Sequence, residues 1–301
     1  NISREMYQCF LSNVFFLAIV NLLGVFMNYL KFMTLLSILF LAACSSESET
    51  AAEATEAEVE NTETEEQGPP YTEYMTCTPG ADFSDATVSA MIDEWNDFEF
   101  ADGFFYAAGH APVQSASLGG ENVVYWQLWW ESKEASDAGW AGWATNSEAE
   151  AWTAKHSSVM TCDGEARRAY DFYWPMGEEA NWNGPNQWVT YAHYCKFNGE
   201  DGLDLLRSAV GAFNEFTLSA DNPEPFAYSV IFHNGENPEP YTDYDFFWMN
   251  YYENHADAET SYARFAENGT EVQAMFDASA SCEGPNASDS YQFYPDPDDE
   301  A

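Results

Sequence analysis

Polar side chains within segments of strand-like alternation are the candidates for chemistry in this chain. They are His110, Gln127, Glu131, His193, His233, Asn250 and Glu253. A histidine can act as a general base, and a glutamate in apolar surroundings can act as a general acid. Each also has a structural alternative, because a histidine or glutamate near a strand end commonly hydrogen-bonds to the scaffold or faces water. The residue types therefore permit acid–base chemistry without specifying a reaction.

Tryptophans accompany these polar residues and give them a second chemical use. The tryptophans that could stack on a sugar or another flat ligand, with packing in the core as the alternative, are Trp126, Trp129, Trp130, Trp140 and Trp143. From both sets we predict a pocket formed by Trp126, Glu131, His193, His233, Trp248, Asn250 and Glu253. The sequence has no phosphate loop, nucleophile elbow, dinucleotide fingerprint or zinc-helix motif. We therefore expect no metal and no cofactor, and we assign no catalytic residue.

An internal repeat organises these residues. The two halves of the repeat are offset by about 120 residues, which is the length of a small domain. Trp126 is matched by Trp248, Glu131 by Glu253, and Asn146 by Asn268. Because duplicated positions usually maintain the shared scaffold, the match favours a structural role for the two glutamates. The five histidines have no counterparts in the other half.

The cysteines fit the same repeat. Cys77 corresponds to Cys195, and Cys162 corresponds to Cys282. An even number of cysteines in an exported chain indicates disulfides. The four cysteines within the two repeats allow three pairings. The repeat selects Cys77–Cys162 and Cys195–Cys282, each within its own half. Metal ligation is the alternative, but no Cys-x-x-Cys or His-x-x-His spacing supports it.

The patterning predicts the order strand–helix–strand–strand–helix–strand twice, in residues 71–180 and 185–295, before an acidic tail at 296–301. In the third strand, Tyr125, Gln127, Trp129 and Glu131 alternate with Trp126, Leu128 and Trp130. Both faces are aromatic, although a sheet with one face in water should carry polar residues on that face. Helices cover only one face, so the other half of the chain should cover the second.

This order of elements resembles the ferredoxin-like fold, in which the first and last strands are antiparallel neighbours. The resemblance places each predicted disulfide between the end of the first strand and the start of the last. Two such units packed sheet to sheet resemble the dimeric α/β-barrel proteins. The predicted fold is therefore α+β, with two tandem ferredoxin-like repeats forming a single-chain pseudo-dimeric α/β barrel.

Residues 1–44 have the features of a leader. An apolar run from Phe32 ends in Leu41-Ala42-Ala43-Cys44, which resembles the lipobox of bacterial lipoproteins. The resemblance implies cleavage before Cys44, acylation of its thiol, and attachment to a lipid bilayer at the bacterial cell envelope. The alternative is a transmembrane anchor at residues 9–30. Residues 45–70 are rich in glutamate and lack basic residues, which predicts a disordered stalk.

The charge of the chain excludes some partners. It contains 51 acidic and nine basic residues, giving a net charge of −42. Nucleic acid and anionic lipid would be repelled, so neither is an expected partner. The simplest explanation of the charge is solubility in saline water, and weak binding of divalent cations is the alternative.

These observations lead to two functional hypotheses. The first is an envelope lipoprotein that acts as a small-molecule-binding or interaction module without catalysis. The second is a cofactor-independent enzyme, similar to the monooxygenase-like members of the dimeric α/β-barrel group, acting on a small aromatic or lipophilic molecule. The second hypothesis places His193 or His233 and Glu131 or Glu253 around an internal cavity.

Overall fold

The computed structural model of the chain describes residues 68–114, 116–219 and 225–296. The predicted leader, the lipobox with Cys44, the stalk up to residue 67 and all but the first residue of the acidic tail lie outside the described residues. No helix in the described part of the chain is long and apolar enough to cross a bilayer.

The described chain is built of β-strands and α-helices. The strands are β1 Tyr71–Pro79, β2 Phe104–Pro112, β3 Ala116–Ser117, β4 Gly120–Glu121, β5 Val124–Trp130, β6 Met160–Cys162, β7 Arg168–Tyr173, β8 Gln187–Phe197, β9 Phe226–His233, β10 Phe246–Tyr252 and β11 Ala280–Tyr294. The helices are α1 Asp85–Asn96, α2 Lys133–Thr145, α3 Ser147–Lys155, α4 Gly202–Thr217, α5 His255–Asn268 and α6 Thr270–Ser279.

Each repeat forms a four-stranded antiparallel sheet with the predicted ferredoxin-like order. In the first repeat the strands lie in the order β7, β1, β5, β2, and in the second in the order β11, β8, β10, β9. The first and last strands of each repeat are therefore neighbours. The ferredoxin-like prediction is confirmed.

Two seams join the sheets into a closed barrel. Strand β2 pairs with β11, where His110 lies opposite Ser290. Strand β7 pairs with β9, where Phe172 lies opposite Ile231. The pairing of β1 with β5 completes a closed barrel of eight strands. Closure removes the exposed edges that each sheet would otherwise present, and it confirms the predicted single-chain α/β barrel.

Each repeat has one more helix than the sequence predicted. Helix α2 follows β5 and helix α5 follows β10, so the order is strand–helix–strand–strand–helix–helix–strand. Both added helices begin at a side chain that accepts a backbone hydrogen bond. Ser132 accepts from the Ala135 N–H, and Asn254 accepts from the Asp257 N–H. These N-cap residues were the signal that the pattern analysis missed.

The aromatic residues divide into helix-facing cores and a barrel interior. Outside the barrel, Trp126 and Trp130 pack with Trp95 of α1 in one core, and Trp248 packs with α4 in the other. Inside, aromatic side chains from both repeats meet. They are Tyr74, Tyr170, Phe172, Tyr241 and Phe247. Both faces of each sheet are thus covered, as the alternation of the third strand predicted.

Both predicted disulfides are present. Cys77 in β1 bonds to Cys162 in β6, and Cys195 in β8 bonds to Cys282 in β11. In each case the cysteines lie directly opposite each other on neighbouring strands. Strand β11 begins at Ala280, and its first residues pair with β8. Each bridge therefore closes one repeat on itself.

Candidate functional site

The two tryptophans of the predicted pocket lie outside the barrel interior. Trp126 packs edge-on against Trp95 and Phe293, and Trp248 stacks on Tyr228 with ring centroids 4.4 Å apart. Successive strand residues point to opposite faces. The inward face of β5 is therefore the one with Tyr125, and Trp126 faces the helices. The placement of both tryptophans in the pocket is corrected accordingly.

Three of the predicted pocket residues do come together, beneath α5 of the second repeat. The Asn250 side-chain amide accepts a hydrogen bond from Trp248 Nε1 at 2.7 Å and donates one to the Tyr262 hydroxyl at 2.9 Å. His193 Nε2 lies 2.8 Å from the same hydroxyl. Burial lowers the pKa of His193 to about 4, so its ring is neutral at pH 7. This group is a hydrogen-bonded part of the helix-facing core.

The remaining three predicted residues lie at or just beyond strand ends. Glu131 and Glu253 are exposed just after the ends of β5 and β10. His233 ends β9, where Nε2 donates to the Tyr244 carbonyl at 2.8 Å and Nδ1 lies 2.6 Å from the Asn237 side-chain nitrogen. Both ring nitrogens of His233 are therefore engaged in holding the turn that follows the strand.

A cavity of about 70 Å³ lies inside the barrel, and both repeats line it. The first repeat contributes Tyr74, His110, Tyr125, Arg168 and Tyr170. The second contributes Ala192, Tyr194, Ile231, Phe247 and Met249. The volume suits a few water molecules or a very small ligand, whereas pockets for drug-sized molecules measure about 300–1,000 Å³. None of the seven predicted pocket residues lines this cavity.

A wider depression continues the cavity at one end of the barrel. It measures about 430 Å³ and shares Ser117, Tyr194 and Asn286 with the inner cavity. The β3–β4 hairpin borders it, and Tyr125 holds that hairpin through its hydroxyl, 2.5 Å from Ser117 Oγ and 3.0 Å from the Gly119 nitrogen. The inner cavity thus has an entrance through which a ligand could extend.

His110 lines the inner cavity within a chain of hydrogen bonds that crosses the β2–β11 seam. The Ser290 hydroxyl lies 2.9 Å from His110 Nδ1, and His110 Nε2 lies 3.1 Å from Gln127 Oε1. Gln127 in turn donates to Thr72 Oγ1, and Thr72 donates to the Leu128 carbonyl. This order makes Nε2 the protonated nitrogen of His110, with Nδ1 accepting from Ser290. Burial lowers the pKa of His110 to about 4, so the ring is a neutral member of the seam.

Arg168 at the start of β7 also points into the barrel. Arg168 is only 3% exposed, and its Nη1 donates to Thr76 Oγ1 at 2.7 Å. Its guanidinium carbon lies 3.9 Å from the ring centroid of Tyr241 and 5.3 Å from that of Tyr125. Among the described residues, no carboxylate lies within 4.0 Å of it. A buried cation without a carboxylate partner therefore faces the cavity.

Tyr74 provides a second unusual polar group at the cavity. Its hydroxyl is buried and has no hydrogen-bond partner among residues 68–296 as described. Burial raises the pKa of Tyr74 well above its usual value, so the hydroxyl keeps its proton and can donate. An unsatisfied buried hydroxyl costs roughly 1–3 kcal/mol, which a hydrogen bond to a ligand or water would recover.

His110 was among the candidate polar residues, but Arg168 and Tyr74 were not, although the sequence contained a signal for Arg168. Arg167 and Arg168 are adjacent at the start of the last predicted strand of the first repeat, in a sheet whose two faces were both predicted to be covered. Alternation requires one of them to point into the barrel. The aromatic composition of both faces concealed which one.

The described residues contain no group of three or more His, Cys, Asp or Glu side chains arranged to hold a metal ion.

Comparison with known proteins finds similarity only at the level of structure. No family model matches the chain, and no curated protein matches it. A proposed monooxygenase from Lactobacillus acidophilus NCFM is 11% identical with a TM-score of 0.45, covering 75% of this chain and 94% of the other. An anthrone oxidase-like protein is 13% identical with a TM-score of 0.44, covering 74% and 90%.

A chlorite dismutase from Candidatus Nitrospira defluvii is 9% identical with a TM-score of 0.43, covering 75% of this chain and 92% of the other. At these identities and TM-scores the likenesses carry no information about activity. The assignment of the fold to the dimeric α/β-barrel type follows from the strand pairing of this chain.

Proposed function

We propose that this protein binds a small aromatic or lipophilic molecule inside its barrel and performs no catalysis on it. The observation that carries the proposal is the interior cavity, which both repeats line with aromatic rings and which opens into a wider entrance. Apolar cavities with a few convergent polar groups are the usual sites of small-molecule binding. The unpartnered hydroxyl of Tyr74 is such a group.

Binding is favoured over catalysis by the state of the histidines near the interior. His110 and His233 both have two engaged ring nitrogens, so neither offers a free base to a substrate. Proton transfer requires a base within hydrogen-bond reach of the substrate. The small inner volume also leaves little room for a substrate together with a reacting partner. These contacts support the module hypothesis over the monooxygenase-like alternative.

The proposal includes the tether. Cleavage before Cys44 and acylation of its thiol would place the barrel at the bacterial cell envelope, attached to the bilayer through the acidic stalk. The lipobox-like sequence Leu41-Ala42-Ala43-Cys44 is the support for this part. The intact mass of the purified protein tests it, because an unlipidated N-terminus upstream of Cys44 would contradict it.

Ligand binding is tested by filling the cavity. Ala192 is buried and lines the cavity from β8. We expect a panel of small phenols, aromatic acids, amides and aliphatic acids to contain compounds that raise the thermal unfolding midpoint of the wild type, because a ligand that binds only the folded state stabilises it. Ala192→Leu should remove that shift, since the added side chain occupies the ligand's space.

Ala256→Leu is the matched control, because Ala256 is an exposed residue of α5. It should retain the wild-type shift for every compound. If no compound of any class shifts the wild type, or if Ala192→Leu binds as the wild type does, the barrel interior is not the binding site.

A further inference from the structure

We infer that the ligand of the barrel is a small monocarboxylate whose carboxylate binds the Arg168 guanidinium. This inference rests on the proposed function, since it specifies the chemistry of the molecule that the cavity binds. It starts from the side chain of Arg168, whose buried charge has no carboxylate partner among the described residues.

The charge of Arg168 is not compensated within the barrel. Burying a charge is costly unless it is paired and hydrogen-bonded. The chain has 51 acidic and nine basic residues, so carboxylate partners are plentiful. None of those in the described residues lies within 4.0 Å of Arg168. The hydrogen bond to Thr76, a polar contact with the Tyr170 hydroxyl and the ring of Tyr241 satisfy only part of a guanidinium with five N–H groups.

The adjacent arginine shows what compensation looks like in this protein. Arg167 points to the other face of the sheet, where its Nε lies 2.8 Å from Glu73 Oε1. Glu73 is itself buried and accepts further hydrogen bonds from Trp130 Nε1, Trp140 Nε1 and Ser136 Oγ. The helix-facing core thus provides the half-buried Arg167 with a buried carboxylate, and the barrel interior provides the buried Arg168 with none among the described residues.

The groups around Arg168 match a carboxylate with a short apolar tail. A guanidinium presents a planar fork of donors that fits the two oxygens of a carboxylate. The Tyr74 hydroxyl lines the same cavity and has a proton to donate to an anion. Ile231, Phe247 and Met249 line it as well and provide an apolar surface for the rest of the ligand. The cavity of about 70 Å³ limits that tail to a few carbon atoms unless it extends into the entrance.

The net negative charge of the protein does not prevent this binding. Exposed charges more than about 8 Å away are largely screened at physiological ionic strength, whereas a buried charge is screened much less. The field at the cavity is therefore dominated by Arg168, while the acidic surface slows the approach of an anion.

The experiment compares acids with their neutral amides. Butyrate, pentanoate and benzoate, with butyramide, pentanamide and benzamide, are titrated by calorimetry into the wild type and into Arg168→Met, Arg168→Lys and Tyr74→Phe. We expect the acids to bind the wild type at least tenfold more tightly than the amides. Arg168→Met should weaken acid binding about a hundredfold and abolish the preference for the acid, and Arg168→Lys should have an intermediate effect.

The stability of the unliganded variants separates binding from a structural role. Replacing an unpaired buried charge by an apolar side chain of similar length should leave the unfolding midpoint of Arg168→Met equal to or above that of the wild type. Tyr74→Phe removes only a hydroxyl without a partner, so it should fold as the wild type does and still bind acids more weakly. This variant keeps the inference testable if Arg168→Met does not fold.

The outcomes distinguish the inference from the proposed function. The inference is overturned, while the proposed function stands, if a neutral compound binds the cavity and the acids bind no better. It is also overturned if acid binding is unchanged in Arg168→Met. If Arg168→Met does not fold, unchanged acid binding in Tyr74→Phe overturns it in the same way. If Arg168→Met folds with a lowered midpoint and binds acids normally, Arg168 is structural. If no acid and no neutral compound binds the wild type, both proposals are overturned.

Discussion

At the scale of single residues, position along a strand decides the chemistry of a side chain. His193 and Ala192 are neighbours in β8, but Ala192 lines the cavity while His193 packs against Tyr262 outside the barrel. Arg167 and Arg168 differ in the same way. In a closed barrel one step along the chain moves a side chain between two separate environments, so identity alone did not reveal which polar residues could meet a ligand.

The burial of His193 has a consequence for stability at acidic pH. Its pKa in the folded protein is lowered to about 4, below the value of about 6.5 in an unfolded chain. The folded state therefore binds this proton less readily, and the contribution of His193 is fully present above pH 6.5 and lost as the pH falls towards 4. We expect His193→Gln to reduce the fall in unfolding free energy between pH 7.5 and 4.5 by about 2 kcal/mol.

Urea denaturation at a series of pH values measures this difference. His255→Gln is the control, because His255 is partly exposed and pairs with Asp289 at 3.0 Å. Equal pH slopes for the wild type and His193→Gln would show that His193 is not buried as a neutral group.

At the scale of elements, the two repeats keep the same order while individual positions have diverged. Asn146 is the N-cap residue of α3, and its side chain accepts hydrogen bonds from the backbone nitrogens of Glu148 and Ala149. Its counterpart Asn268 is the last residue of α5, and the N-cap residue of α6 is Gly269, which has no side chain to accept a hydrogen bond. The two asparagines therefore lie at corresponding helix junctions, but only Asn146 caps the helix that follows.

This divergence predicts unequal effects of the same substitution. Asn146→Ala should lower the free energy of unfolding by about 1 kcal/mol, because two backbone N–H groups of α3 lose their acceptor. Asn268→Ala should change it by less than about 0.5 kcal/mol, since the exposed Asn268 side chain only bonds back to the Arg264 carbonyl. Chemical denaturation of both variants measures the difference. Equal losses would indicate that the capping hydrogen bonds of Asn146 contribute little.

At the scale of the whole molecule, the two seams make the halves one structure. Each half has its own disulfide and most of its own helix-facing core, although Phe293 of β11 packs into the first core and Met176 of the first repeat packs into the second. The interior, by contrast, requires strands from both, and so does the cavity. Neither repeat alone contains the candidate site. We therefore expect the halves to unfold together.

Gly109 tests this coupling at the β2–β11 seam. A Cβ atom at Gly109 would lie 2.1 Å from the ring of Phe293 in β11. Gly109→Ala should therefore lower the free energy of unfolding by about 1–3 kcal/mol through overpacking. Because the seam joins the halves, hydrogen exchange followed by mass spectrometry should show β5 and β10 losing protection together.

Gly142→Ala provides the control for this substitution. Gly142 lies within α2, and apart from its chain neighbours and the backbone of the same helix, no atom of the described residues lies within 4 Å of an added Cβ. It should raise the free energy of unfolding by about 0.5–1 kcal/mol through helix propensity. Loss of protection confined to one half in Gly109→Ala would contradict the coupling.

The sequence by itself determined the repeat, the order of most strands and helices, and the pairing of the cysteines. These features depend on local periodicity and on comparison of one half with the other, both of which can be read along the chain. It predicted that both faces of each sheet are covered, because tryptophan and tyrosine occupy both faces of β5 and β10.

Only the tertiary structure decided which face encloses the cavity. With aromatic residues on both faces, hydrophobic alternation could not distinguish inside from outside, so Trp126 and Trp248 were expected at the ligand site and lie in the helix-facing cores instead. The orientation of each strand is set by closure of the barrel through β2–β11 and β7–β9. That closure joins residues distant in sequence, and it alone places Tyr74 and Arg168 beside Phe247 around one cavity.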